Sequence, residues 1–267
     1  MKRLNFQETW PDLWKSTYPF DQAELYGEAL LRGHTYAYQN RFRKTIRLVT
    51  EVLPEGASIL DVAAAQGNFS LTLAELGYNV TWNDLRADLA GYVQLKYERG
   101  NIAFVPGNAF AIHFSSRFDG VLITEIIEHV AHPDDFLAKA ASLVKPGGYL
   151  FMTTPNGGYF RNTLPKFSEC PDPSVYEGVQ FKPNADGHIF LLHTDEVKAM
   201  GVRAGLCLDK FLLFTNSLTN GHIKTGPLLK VLPKQIVDAL EQLTCALPSK
   251  IKQKLLVHMA ARFVKNS

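Results

Sequence analysis

Residues 58–85, SILDVAAAQGNFSLTLAELGYNVTWNDL, decide the fold. A short apolar run, Ile59, Leu60 and Val62, carries Asp61 near its end. A Gly67-Asn68 turn follows, and then Phe69, Leu71, Leu73, Ala74 and Leu76 recur at helical spacing until Gly77. A second β-rich run, Tyr78–Trp82, closes on an acid, Asp84. Strand, glycine turn, helix, strand and acid is the order of a mononucleotide-binding βαβ half, whose ligand lies over the carboxyl ends of the strands. A carboxylate at Asp84 can accept from both vicinal hydroxyls of a ribose.

The loop does not fit a dinucleotide. Pyrophosphate sites ask for G-x-G-x-x-G, which wraps backbone amides around the phosphates at a helix N-terminus. Here only Gly67 stands in the loop, and Asp61 precedes the turn, an awkward charge to aim at a phosphate. A cationic, phosphate-free adenosine ligand suits the acid better, and S-adenosylmethionine, with its sulfonium and α-ammonium, is such a molecule.

The chain resembles the class I S-adenosylmethionine-dependent methyltransferases. Their first motif, roughly hhD-h-G-x-G-x-G, is matched by Ile59-Leu60-Asp61-Val62-Ala63-Ala64-Ala65-Gln66-Gly67, with Ala63 and Ala65 where the family has glycine. A second stretch, ITEIIEHV followed by HPDDFLAKAASLVKPGGYLFMTTPN (123–156), resembles the branch with ubiquinone-biosynthesis O-methyltransferases and small-RNA 2′-O-methyltransferases. The resemblance covers about residues 58–156, with weaker agreement to Leu206. It implies an α/β, Rossmann-like seven-stranded sheet with helices on both faces. It also implies cofactor contacts from Asp61, Ala63, Gly67, Asn68, Phe69, Asp84, Leu85, Asn108, Ala109 and Glu125. Relatives usually carry an Asp at position 108, bonded to the adenine amine; Asn108 can still accept there, or it serves simply as a turn residue beside Gly107.

Chemistry gathers after the fourth strand, where Phe118–Thr124 reads as a central parallel strand buried on both faces. Glu125, Glu128, His129 and His132 follow at once. Methyl transfer is an in-line displacement, so the protein must hold nucleophile, carbon and sulfur collinear and take up or polarise a hydroxyl proton. His129, assisted by Glu128, is a candidate general base, its pKa raised by neighbouring carboxylates. A second reading stands beside it. In the small-RNA enzymes E-x-x-E-H and a later histidine bind a divalent cation, which implies Glu125, Glu128, His129 and His188 as ligands for Mg²⁺ or Mn²⁺. A third is structural, with Glu125 on cofactor or backbone and His129 capping a turn.

Around this centre the sequence predicts a helical or lid segment over 1–54, a core over 55–216 and a C-terminal insertion with the last core element over 217–267. Asp21 is a plausible helix N-cap, with Ala23, Leu25, Tyr26, Ala29 and Leu30 on one face. A second helix carries Tyr38, Phe42, Ile46, Val49 and Leu53. Arg86–Arg99 reads as a helix with Tyr97 inward, His188–His193 as a short strand, and Leu255–Val264 as a strand or a helix. Residues 157–187 read as a substrate cap, loop-rich with Pro165, Pro171, Pro173 and Pro183, aromatics including Tyr159, Phe160, Phe167, Tyr176 and Phe181, and the basic residues Arg161, Lys166 and Lys182.

Composition sets bounds. Hydrophobic residues make up 46% and charged residues 20%, as in soluble globular domains, and the net charge of +2 supplies no basic face for nucleic acid. Cys170, Cys207 and Cys245 have no C-x-x-C spacing, which argues against a disulfide framework or a cysteine zinc site. MKRLNFQETWPDLW lacks the apolar core of a signal peptide, so a cytoplasmic location is expected. The functional expectation is O-methylation of a hydroxyl on a small molecule or glycan; the rival is a degenerate methyltransferase fold serving as a binding or scaffold subunit, motivated by Ala63 and Ala65.

Overall fold

The computed structural model describes residues 1–27, 32–180, 187–220 and 225–266. The decisive stretch forms β1 (Ser58–Val62), α3 (Asn68–Glu75) and β2 (Asn79–Asn83), after two helices, α1 (Asp12–Glu24) and α2 (Arg32–Thr50). There follow α4 (Leu89–Lys96), β3 (Asn101–Phe104), β4 (Phe118–Thr124), α5 (Pro133–Ser142) and β5 (Val144–Pro155). Then come α6 (Thr194–Arg203), β6 (Leu206–Asn216), α7 (Gly226–Val231), α8 (Lys234–Cys245), α9 (Ser249–Leu255) and β7 (Leu256–Lys265).

The strands make one seven-stranded sheet in the order β3-β2-β1-β4-β5-β7-β6, parallel except for β7, which runs antiparallel to both β5 and β6. Strand alternation sends successive side chains to opposite faces. Leu60, Val62, Val121, Ile123, Leu150, Met152 and Met259 pack under α5 and α6, through Phe136, Leu137, Val197 and Met200. Ile59, Leu122, Phe151 and Ala260 face the other way, against Leu48 and Val49 of α2 and Phe69 and Leu73 of α3. Both faces are covered, as a parallel sheet requires. The order reverses between β1 and β4, the switch point at which open α/β sheets hold ligands in a crevice outside the carboxyl ends of the strands.

Several boundaries depart from expectation. Asp21 does not start a helix; it lies in the last turns of α1, its carboxylate held by the buried Lys96 ammonium at 2.7 Å. Ala29 and Leu30 lie outside the described residues. The helix read over Arg86–Arg99 is only α4, and Tyr97 is exposed with its hydroxyl donating to the Gly100 carbonyl. Residues 188–193 form no strand: the chain is irregular and bends at Ile189, where the amide donates to the Glu128 carbonyl, and the Leu192 carbonyl accepts from Gly157. The alternative left open for the C-terminal element resolves as strand. Among the described residues no helix is long and apolar enough to cross a membrane.

Candidate active site

The loop expected to hold the cofactor leaves β1 at Val62 and enters α3 at Asn68. Three of its residues take left-handed backbone: Ala63 at φ 56°, Ala65 at φ 46° and Gly67 at φ 71°. Glycine adopts that region freely, whereas alanine meets its own Cβ there. The two alanines therefore hold a conformation that glycine would adopt at lower cost. Gly67 is required by packing as well, since a Cβ there would lie 2.6 Å from Val93 Cγ1.

Behind the loop, Asp61 is fully buried; its Oδ2 accepts from Ser70 Oγ at 2.6 Å. Burial above all, opposed by the Ser70 hydroxyl and aided by Asp84, leaves this carboxyl pushed up to about 7. Asp84, at the end of β2, accepts from the Ala65 amide at 2.9 Å and from both Nε and Nη2 of Arg86. Leu85 beside it is a large exposed apolar side chain. Asn68 points away from the crevice, into a buried network with Asp21, Tyr38 and Lys96, and Phe69 lies in the core stacked on Phe42. Asn108 Oδ1 accepts from the Phe110 amide, the turn-residue reading of that position, while Ala109 is buried.

At the end of β4, Glu125 takes φ 50°, an uncommon conformation for a side chain of this size. The kink aims its carboxylate at α2, where Oε2 accepts from Arg41 Nη1 at 3.0 Å; His258 of β7 lies 4.0 Å from the same oxygen. Burial would push Glu125 up, but Arg41 and then His258 outweigh it and hold the group below the usual range. Glu128 behaves oppositely. It is buried, its Oε2 accepting from Thr154 Oγ1 at 2.9 Å and its Oε1 making no hydrogen bond among the described residues. Burial, with Glu125 adding repulsion, lifts its pKa well above normal.

Glu128, His129 and His188 each bring a ligand atom within 4.8 Å of the others, and the two imidazole centroids stand 5.0 Å apart. Glu125 is not in this group, because Arg41 has claimed it. The segment read as a substrate cap is tied to the loop after β4: Gln180 Oε1 accepts from the Ala131 amide, and His132 pairs with Glu177 at 3.0 Å. Its aromatics are anchors more than linings, since Phe167 and Tyr176 stack edgewise on the buried Phe190 at 5.4 and 5.3 Å. Phe181, Lys182 and Pro183 lie outside the described residues. Sequence reasoning missed Arg41 and His258. Arg41 sits in a basic helical run, Arg41-Phe42-Arg43-Lys44, where nothing marks one cation as inward-facing, and His258 interrupts an apolar strand without a recognisable motif.

A family model described as a methyltransferase domain matches residues 35–209. A ubiquinone biosynthesis O-methyltransferase of Caulobacter vibrioides is 37% identical over 106 residues, 38% of this chain and 42% of that protein. One from Hydrogenovibrio crunogenus is 30% identical over 161 residues, 58% of this chain and 64% of that protein. The alignments thus span less than two thirds of these relatives. In fold, the chain is similar to magnesium protoporphyrin IX methyltransferase from Synechocystis PCC 6803, solved with bound SAH, at a TM-score of 0.57 and 13% identity, covering 96% and 97% of the two chains.

Proposed function

The chain belongs to the class I S-adenosylmethionine-dependent methyltransferase family, and from that premise we propose that it transfers the cofactor's methyl group to a hydroxyl of a small molecule. The observation that carries this reading is the pairing, at the carboxyl end of β4, of a partly buried Arg41–Glu125 ion pair with the Glu128–His129–His188 cluster. The residues fit the cofactor. The methionine end of S-adenosylmethionine is a zwitterion, and a guanidinium beside a carboxylate complements it, Arg41 for the α-carboxylate and Glu125 for the α-ammonium. Arg41 Nε makes no hydrogen bond among the described residues, leaving a buried donor for that carboxylate. Asp84 would receive the ribose hydroxyls and Leu85 an adenine face. When bound, S-adenosylmethionine supplies an electrophilic methyl carbon on a sulfonium.

The remaining chemistry belongs to the cluster. The acceptor hydroxyl must lose its proton as its oxygen bonds to carbon, and His129 is within the half-buried rim where that hydroxyl would sit. The donor set, one carboxylate and two imidazoles with Glu128 Oε1 unclaimed, also fits Mg²⁺ or Mn²⁺. A cation held there by Glu128, His129 and His188 would lower the pKa of a bound hydroxyl. Two relatives named as ubiquinone biosynthesis O-methyltransferases support an aromatic hydroxyl over a glycan.

The test is titration with S-adenosylhomocysteine, followed by transfer of labelled methyl to phenol and catechol acceptors with Mn²⁺ or chelator. Binding with transfer to oxygen is expected. Activity abolished by chelator makes the cluster a metal site, and activity untouched by chelator but lost in His129→Ala makes His129 the base. No binding at all would return the scaffold reading.

A further inference from the structure

Lys96 is a fully buried lysine, an expensive residue to hide unless its charge is matched and its three donors used. Both conditions hold. Nζ donates to Asp21 Oδ2 at 2.7 Å, to the Gln66 carbonyl at 2.8 Å and to Asn68 Oδ1 at 2.5 Å. The last two acceptors flank Gly67, the left-handed residue on which the cofactor loop turns into α3. Asp21 in turn accepts from Asn68 Nδ2 at 3.1 Å and from Tyr92 at 2.9 Å, and Asn68 also donates to Tyr38 of α2. One network therefore joins α1, α2, α3 and α4 to the loop. Val93, one turn before Lys96 on α4, fills the space against Gly67.

We infer that Lys96 is a positioning residue for the cofactor: with Asp21 as its counter-ion it clamps the carbonyl before Gly67 and the side chain after it, so the loop is preformed and α1 is part of the cofactor site. The inference rests on the proposed reading of the loop. Lys96, Asp21 and Asn68 are all buried, so the clamp acts on the ligand only through the loop it holds. A surface lysine would be free to do nothing; this one has no other arrangement for its charge.

The first arm of the test uses the unaltered protein. Amide hydrogen exchange without ligand should show Gly67, whose amide donates to the Ala64 carbonyl at 2.8 Å, already protected, and S-adenosylhomocysteine should add little. A loop that exchanges freely until ligand arrives overturns the preformed clamp. The second arm compares Lys96→Met with Asp21→Leu/Lys96→Met, because replacing both members of a buried pair by apolar residues commonly preserves the fold. The folded variant should bind S-adenosylhomocysteine about tenfold more weakly or worse and show a raised KM for the methyl donor, with kcat and the acceptor KM near those of the wild type. Unchanged affinity, or a parallel loss in all three parameters, overturns the positioning role. A wild-type protein that fails to bind S-adenosylhomocysteine would sink the functional reading instead, while the exchange arm would still report on the clamp.

Discussion

Arg86 closes on Asp84 with one edge of its guanidinium, Nε 2.9 Å from Oδ1 and Nη2 3.0 Å from Oδ2. Asp84 is buried and also receives the Ala65 and Arg86 amides, so its acceptor sites are filled. A ribose diol seeking this carboxylate must displace the arginine, whose half-exposed guanidinium makes two charge-assisted bonds to the buried acid. Arg86→Ala should therefore lower Tm, because the carboxylate keeps only its two backbone amides, and tighten S-adenosylhomocysteine binding a few-fold, whereas Asp84→Ala should weaken it strongly. Calorimetric titration of the two variants decides the matter. Weaker binding by Arg86→Ala would mean that the guanidinium contacts the ligand.

Ala63 and Ala65 hold the left-handed conformation at φ 56° and 46°. Strain of that kind costs an alanine roughly 1 kcal/mol. At an ordinary helical position two Ala→Gly changes would cost about 1–2 kcal/mol together. Here relief of strain offsets the added chain entropy, so Ala63→Gly/Ala65→Gly should keep its stability within about 0.5 kcal/mol of the wild type. Denaturant unfolding reads the difference. A full loss of 1–2 kcal/mol, on the scale of helical Ala→Gly changes, would show that the alanines are not strained.

What could be read from the sequence was local. Ile59 to Asp84 carries its own periodicities, so β1, α3 and β2 were recoverable, and Glu125-x-x-Glu128-His129 could be placed at a strand end because it follows the apolar run Phe118–Thr124. The groups that complete the site come from far along the chain. Arg41 meets Glu125 across 84 residues, and Lys96 meets Asp21 across 75. Asp21 looked like a helix cap because a short acid before an apolar stripe usually is one; only the fold reveals a buried ammonium waiting for it. The division of labour between the carboxylates was likewise invisible. Glu125 and Glu128 are three residues apart in sequence, yet the turn at Glu125 sends one to a guanidinium and leaves the other among imidazoles.

That division makes the cation site testable without activity. Glu128, His129 and His188 are the ligands the geometry offers, and a cation that binds only the folded protein raises its stability by about 2.7 kcal/mol when present at a hundredfold excess over Kd. Tm should rise on addition of Mn²⁺ in the wild type and not in His188→Ala, while Glu125→Gln should retain the rise. A shift that survives His188→Ala would place the ion elsewhere.

Asp61 gives the fold a signature in pH. Its carboxyl titrates near 7 in the folded chain, chiefly because burial disfavours the anion, against about 3.9 when unfolded. Between those values the folded state binds the extra proton, so this group's contribution is fully present below about pH 4 and is lost as pH rises through about 7. Asparagine carries no charge and can still accept from the Ser70 hydroxyl. Asp61→Asn should therefore gain on the wild type as pH increases, by about 2–3 kcal/mol between pH 5 and pH 8, counted as two units of the interval. Thermal or urea unfolding of both proteins at the two pH values measures the gain. A difference that is flat with pH would mean that Asp61 is ionised in the folded and unfolded chain alike over this range, and one that grows toward acid that its pKa is lowered; either result would overturn the upward shift that burial imposes.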